Sequence, residues 1–78
     1  MNGNIDIELK QIGQQIKQLR LSKGMTQNAL ASSCDIDVRT IQMIEKGTLN
    51  MSLKIFYAIA LSLEVKPSFL LAIIDCDE

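Results

Sequence analysis

The sequence predicts an all-α fold, a compact bundle of about five short helices. Apolar residues recur at steps of three and four along most of the chain, which is the spacing of one buried helix face. Pro occurs once and Gly four times, so few positions interrupt a helix. The hydrophobic share is 47% and the aromatic share only 4%, so the core must be built from Leu, Ile, Val and Ala. We expect residues 1–78 to form a single small domain.

The first helix is predicted to follow a short N-terminal arm, residues 1–4. Gly24 is expected to end this helix. Gly13 lies inside it, where glycine costs about 1 kcal/mol relative to Ala, and we therefore expect another backbone to approach closely there. Its buried face is marked by five apolar residues at helical spacing: Ile5, Leu9, Ile12, Ile16 and Leu19.

Residues 26–47 are predicted to form two short helices joined by a tight turn, a helix-turn-helix unit. Thr26 caps the first of these helices, residues 27–33, because its hydroxyl oxygen can accept a hydrogen bond from a free backbone N–H. Residues 34–37 form the turn, in which Asp35 tolerates the left-handed backbone region. Two residues of the turn are expected to fill the core: Cys34 and Ile36.

The third helix is predicted to run from Val38 to Glu45 or Lys46, with Asp37 as its N-cap and Gly47 as its C-terminal stop. At about 100° per residue, two apolar residues fall on an inward stripe: Ile41 and Ile44. The opposite side carries a guanidinium, an amide, a thioether and an ammonium: Arg39, Gln42, Met43 and Lys46. Such a face is suited to recognition of a polar, anionic partner.

The C-terminal helices are predicted within residues 52–74. Ser52 caps a fourth helix from Leu53 to Leu63, and a fifth begins at Pro67, a residue favoured at the first helical position. The fourth helix has five residues that can face the core: Leu53, Phe56, Ile59, Ala60 and Leu63.

The fifth helix has more apolar residues than one inward stripe can hold, so a second copy of the chain is expected to cover part of it. Four residues are predicted at this dimer interface: Phe69, Leu70, Ile73 and Ile74. Three residues of the fourth helix can extend it: Ile55, Tyr57 and Leu61.

Charge is distributed unevenly along the chain although the net charge is only −1. Between Leu9 and Ile74 the chain has eight Lys and Arg against four Asp and Glu, which leaves +4, and the other acids lie at the two ends. The sequence contains no His, which argues against most zinc sites and against His-dependent catalysis. We expect no enzymatic role, no cofactor and no metal, and no small-molecule ligand is evident.

Two further features concern the cellular environment. Cys34 and Cys76 do not form a CxxC pair, and together with the lack of a signal peptide they predict a reduced, cytoplasmic protein. The longest apolar run, residues 55–61, is far shorter than the roughly 18 residues that span a bilayer. We expect no membrane association.

These residues together resemble the lambda-repressor-like helix-turn-helix family, of the Xre or Cro type, over about residues 12–71. The resemblance depends on the joint spacing of many elements: Ile12-Gly13, Ile16, Leu19-Arg20, Gly24-Met25-Thr26-Gln27, Leu30-Ala31, Ile41, Ile44-Glu45, Gly47, Asn50, Ser52-Leu53, Ala60, Leu63 and Val65. Among members of the family, the size is similar to controller proteins of restriction–modification systems and to small phage repressors.

The resemblance implies a five-helix domain whose third helix lies in the major groove of DNA. It also implies an ion pair between Arg20 and Glu45 that ties the first helix to the third. Five residues match positions at base edges or beside them: Asp37, Val38, Arg39, Gln42 and Met43. Four match positions that contact the DNA backbone: Gln27, Lys46, Thr48 and Asn50. Lys17 is added to the backbone set because its ammonium can neutralise a phosphate.

The sequence departs from the family pattern at three positions. Asp37 replaces the usual Ser or Thr cap and places a carboxylate close to DNA, where it repels phosphate unless it accepts from a cytosine amino group. Glu64 stands where a helix-ending Gly is typical, which predicts local strain. Lys66 replaces the usual small polar cap before the last helix.

The resulting hypothesis is a sequence-specific transcriptional regulator that acts as a homodimer on a near-palindromic operator. The alternative is a protein-interaction module, such as the antitoxin of a toxin–antitoxin pair, whose apolar terminal helix covers a partner.

Overall fold

The computed structural model describes the backbone of residues 5–71 and the side chains of residues 7–71. Within that part of the chain it contains five helices and no strand, which confirms the predicted all-α class. The helices are α1 (Ile5–Ser22), α2 (Gln27–Cys34), α3 (Val38–Lys46), α4 (Leu53–Ser62) and α5 (Pro67–Leu71).

Each of three helices begins at the N-cap that the sequence predicts. The Thr26 side chain accepts a hydrogen bond from the backbone N–H of Ala29, and that of Ser52 accepts one from Ile55. Asp37 caps α3 in the same way. A side-chain oxygen at this position satisfies a backbone donor that the helix itself leaves without a partner.

The core lies where α1, α2, α3 and α4 meet, and α5 closes it from the side of α1 and α4. It consists almost entirely of aliphatic side chains, as the composition requires. Eleven residues form it: Ile12, Ile16, Leu30, Ala31, Ile41, Ile44, Phe56, Ile59, Ala60, Leu63 and Leu70. Cys34 and Ile36 of the turn pack against this core but are only half-buried.

Gly13 and Gly47 allow α1 to lie directly against the end of α3. A Cβ atom at Gly13 would collide with the backbone carbonyl oxygen of Ile44 and would lie 2.9 Å from that of Glu45. A Cβ at Gly47 would lie 2.6 Å from the Cα of Lys10. The close backbone approach that Gly13 predicts is therefore present, and α3 is its partner.

Two expectations about buried faces are wrong. Leu53, the first residue of α4, is 77% exposed and does not reach the core. Leu70, predicted at a dimer interface, is completely buried in the core of its own chain and is not available to a partner.

Two boundaries differ by one residue from the prediction, since α2 includes Cys34 and α4 ends at Ser62 with Leu63 as its C-cap. Other predictions lie outside the described residues: the arm at residues 1–4, the interface residues Ile73 and Ile74, and Cys76.

Candidate nucleic-acid interface

The amphipathic third helix presents one face to the core and the other to solvent. Ile41 and Ile44 are buried in the core, and α3 packs against α1 and α2. Arg39, Gln42 and Lys46 are exposed on the outer side. The guanidinium, amide and ammonium that the sequence assigns to one outer face are therefore accessible together.

Hydrogen bonds hold both ends of α3. At its start, Oδ1 of Asp37 accepts from the backbone N–H of Arg39 at 3.3 Å. At its end, Gly47 adopts φ +79° and donates its N–H to the carbonyl of Ile44, while Thr48 donates its N–H to that of Met43. This left-handed turn satisfies carbonyls that α3 leaves free and leads the chain into the following loop.

A buried polar network fixes the orientation of α3. Nε of Arg20 donates to Oε2 of Glu45 at 2.7 Å, and Nη2 donates to Oε1 at 3.1 Å, so the guanidinium and the carboxylate form a two-pronged pair. Nη1 of Arg20 donates to the carbonyl of Met25 at 2.8 Å. Nε2 of Gln27 donates to Oε1 of Glu45 at 3.1 Å. Glu45 thus connects α3 to α1 and to the start of α2.

The residues of the expected interface lie on α1, on the helix-turn-helix unit and in the loop that follows α3. Most of them are exposed: Lys17, Asp37, Arg39, Gln42, Lys46, Thr48 and Asn50. Three are half-buried: Gln27, Val38 and Met43. Val38 packs against the core, and Gln27 is held by its hydrogen bond to Glu45.

This geometry, with two short helices joined by the turn at Asp35 (φ 60°) and an outward-facing second helix, is that of a helix-turn-helix. A model of the helix-turn-helix family matches residues 16–70 of the sequence. The chain belongs to this family. It is accordingly a DNA-binding transcription regulator of the Xre type, as its residues predict.

The chain is 45% identical over 60 residues to Control protein C.BamHI of Bacillus amyloliquefaciens. The matched region covers 76% of this chain and 74% of that relative. Its fold is similar to that of the restriction-modification controller protein C.AhdI from Aeromonas hydrophila. The TM-score is 0.80 at 31% identity, with 82% of this chain and 97% of the other covered.

A mutant of the restriction-modification controller protein C.Esp1396I is also similar, with a TM-score of 0.76 and 32% identity. This match covers 91% of the present chain and 95% of the other. All three relatives are control proteins and not enzymes, which confirms the expectation that the chain is a regulator and has no enzymatic role.

Two sets of polar contacts could not be predicted from the sequence. The Met25 carbonyl that accepts from Arg20 leaves no trace in the sequence, because any residue supplies a carbonyl. The cluster at the seam of α2 and α4 was also missed: Ser33 Oγ and Ser62 Oγ lie 2.8 Å apart, and Cys34 Sγ lies 3.4 Å from Ser62 Oγ. The sequence does not indicate this cluster, because the paired residues are 29 and 28 positions apart and lie on different helices.

Among residues 5–71 no helix is both long and apolar enough to cross a membrane. In the same part of the chain no three Cys, Asp or Glu residues lie close enough together to hold a metal ion.

Proposed function

We propose that this regulator controls a restriction–modification system and binds its operator as a homodimer, with α3 in the major groove. The similarity to three control proteins supports the biological setting. The observation that carries the DNA-binding mode is the outer face of α3, exposed while Ile41 and Ile44 hold the inner face in the core. The major groove of B-DNA is wide enough to admit such a helix.

Base recognition is assigned to the first two turns of α3 and its cap. The guanidinium of Arg39 can donate two hydrogen bonds to O6 and N7 of guanine, and the amide of Gln42 can pair with adenine. Val38 and Met43 offer apolar contact to a thymine methyl. The Asp37 carboxylate, which already accepts from a backbone N–H, retains lone pairs for a cytosine amino group.

Phosphate contacts are assigned to residues that border this helix. Gln27 opens α2, where free backbone N–H groups and the helix dipole favour an anion. Its Nε2 carries two hydrogens, so it can donate to Glu45 and to a phosphate at the same time. Lys17, Lys46, Thr48 and Asn50 are all exposed and supply cationic or hydrogen-bonding groups to the DNA backbone.

The dimer surface is assigned to exposed apolar residues of α4 and α5. Phe69 is 47% and Leu61 76% exposed, and Tyr57 and Leu71 are exposed as well. Leu70 is removed from this surface because it is buried. Ile73 and Ile74 remain part of the proposal. A two-fold dimer would place its two recognition helices on half-sites about 34–36 Å apart, one helical turn of DNA.

Selection of binding sites from random duplex DNA tests the function directly. The proposal predicts an enriched near-palindrome with two half-sites spaced by about one helical turn. Enrichment of a single, asymmetric half-site would contradict the homodimer, and failure to enrich any sequence would contradict specific recognition.

Light scattering after size exclusion tests the assembly independently. A dimer of the chain alone is expected. A monomer or an aggregate that becomes a defined species only with a second protein would favour the alternative, a protein-interaction module.

A further inference from the structure

We infer that Lys10, which lies on α1 outside the helix-turn-helix unit, is an additional phosphate-binding residue of the DNA interface. This inference rests on the proposed function, since it requires α3 to approach DNA with its outer face. The sequence does not suggest Lys10, which is 36 positions away from Lys46 and belongs to a different helix. The structure places it at the end of α3.

The contact with Gly47 locates Lys10. A Cβ atom built on Gly47 would lie 2.5 Å from Cγ of Lys10 and 2.6 Å from its Cα. The backbone and the first methylenes of Lys10 therefore lie on the turn that ends α3. Lys10 is nevertheless exposed, so its ammonium can reach solvent from beside this turn.

Gly13 fixes α1 in this position. It lies one helical turn after Lys10, on the same face of α1, and it packs on the last carbonyl groups of α3, those of Ile44 and Glu45. The backbone of α1 is therefore in close contact with the end of α3 at Gly13 and with Gly47 at Lys10. Lys10 is consequently held by backbone packing and does not depend on a flexible loop for its placement.

Two cationic residues lie beside the turn at Gly47 that ends α3. Lys46, which is exposed, directly precedes Gly47, and Lys10 packs on Gly47. Thr48, which follows, is exposed and adds a hydroxyl group. Two lysines beside one turn favour the binding of an anion there. A DNA phosphate beside the groove that α3 enters supplies such an anion.

An internal role for Lys10 makes a different prediction. The free carbonyls at the end of α3 carry partial negative charge, and an ammonium near them stabilises the helix by about 0.3–1 kcal/mol. In that case removal of the charge would lower the melting temperature and leave the salt dependence of DNA binding unchanged.

The Lys10→Gln variant separates these roles, because glutamine keeps the methylenes that pack on Gly47 and removes the charge. We would measure log Kd for the selected operator against log salt concentration, together with the melting temperature. Each phosphate contact adds about 0.9 to the slope, so Lys10→Gln should flatten it by about one unit per bound protomer. Every DNA sequence should be weakened by a similar factor.

Two further variants complete the experiment. Lys46→Gln should flatten the slope to a similar extent. Lys66→Gln, a change at an exposed lysine between α4 and α5, should leave the slope unchanged, with dimerisation verified by light scattering. A normal slope for Lys10→Gln beside a flattened slope for Lys46→Gln would overturn the inference and leave the proposed function intact. No operator binding by the unaltered protein would instead overturn the proposed function.

Discussion

Glu45 is the residue through which the recognition helix is tied to the rest of the molecule. Its carboxylate accepts from Arg20 of α1 and from Gln27 of α2, and both it and Arg20 are buried. All buried polar side-chain atoms among the described residues have a hydrogen-bond partner. A satisfied network of this kind restricts α3 to one orientation, because any rotation of the helix would leave a buried charge without its partner.

The substitution Glu45→Gln should destabilise the protein by about 3–5 kcal/mol, because it leaves the buried Arg20 without a carboxylate. Urea unfolding at fixed protein concentration measures this loss. Gln27→Ala is the matched control: it removes only the outer donor and should cost about 0.5–1.5 kcal/mol. Equal, small losses for the two variants would show that the Arg20–Glu45 pair does not anchor α3.

The substitution Arg39→Ala should relax the preference for one base position in each half-site and leave the fold intact, because Arg39 is exposed. A bidentate contact to guanine discriminates by about 1–3 kcal/mol, which corresponds to roughly 5–150-fold in affinity. Site selection with the variant, compared with the unaltered protein, measures this. An unchanged operator profile would remove Arg39 from the base-reading set.

Individual residues were predictable where the responsible interaction is local. Asp37 and Gly47 act through neighbouring backbone groups, and the sequence alone identifies them as the caps of α3. Leu53 was wrongly assigned to the core. Helical periodicity gives the directions of side chains relative to one another, but it does not say which face of the helix the neighbouring helices bury. Lys10 was missed because its position depends on the packing of two helices distant in sequence.

At the level of the elements, the end of α4 is strained. Glu64 adopts φ +62°, a left-handed conformation that a residue with a Cβ adopts at a cost of roughly 1–2 kcal/mol. The resemblance to the family predicted this strain, because Glu64 stands where a helix-ending Gly is typical. Lys23 compensates for this cost in part, because its Nζ lies 3.6 Å from Oε1 of Glu64. This ion pair is exposed and therefore weak.

The substitution Glu64→Gly should raise stability by about 0.5–1 kcal/mol, because glycine adopts this conformation without steric cost but loses more entropy on folding. Thermal unfolding should show a melting temperature higher by a few degrees. Glu64→Ala keeps the Cβ while removing the carboxylate, and should bring no such gain. A similar increase for both variants would mean that the carboxylate, and not the backbone conformation, is unfavourable.

The helices themselves were predicted to within one residue at α2, α3 and α4, because caps and left-handed stops are short-range signals. Their mutual arrangement was less accessible to sequence reasoning. Gly13 indicated a close approach, but only the structure identifies the end of α3 as the partner. The resemblance to a family supplied the Arg20–Glu45 pairing, which spacing alone could not have provided.

For the molecule as a whole, the proposal combines a recognition face on α3 with an apolar surface on α4 and α5. The chain has a net charge of −1, so strong binding cannot come from overall electrostatic attraction. A dimer resolves this difficulty, because it presents two recognition helices to one operator and doubles the number of phosphate contacts.

The substitution Phe69→Ser should convert the proposed dimer into a folded monomer, because Phe69 is about half exposed in the isolated chain. Light scattering should report half the mass, and helicity measured by circular dichroism should be retained. Leu70→Ala is the contrasting variant: it opens a cavity in the core and should cost about 2–5 kcal/mol in stability. A dimeric Phe69→Ser protein would place the interface elsewhere.

Protection of the selected operator against methylation by dimethyl sulfate tests most directly whether the outer face of α3 enters the major groove. The reagent modifies guanine N7 in the major groove and adenine N3 in the minor groove, so the two grooves give separate signals. Entry of α3 into the major groove predicts protection of guanine N7 in both half-sites, with one guanine in each becoming reactive again when Arg39 is replaced by Ala. Protection confined to adenine N3, with every guanine N7 still reactive, would contradict it.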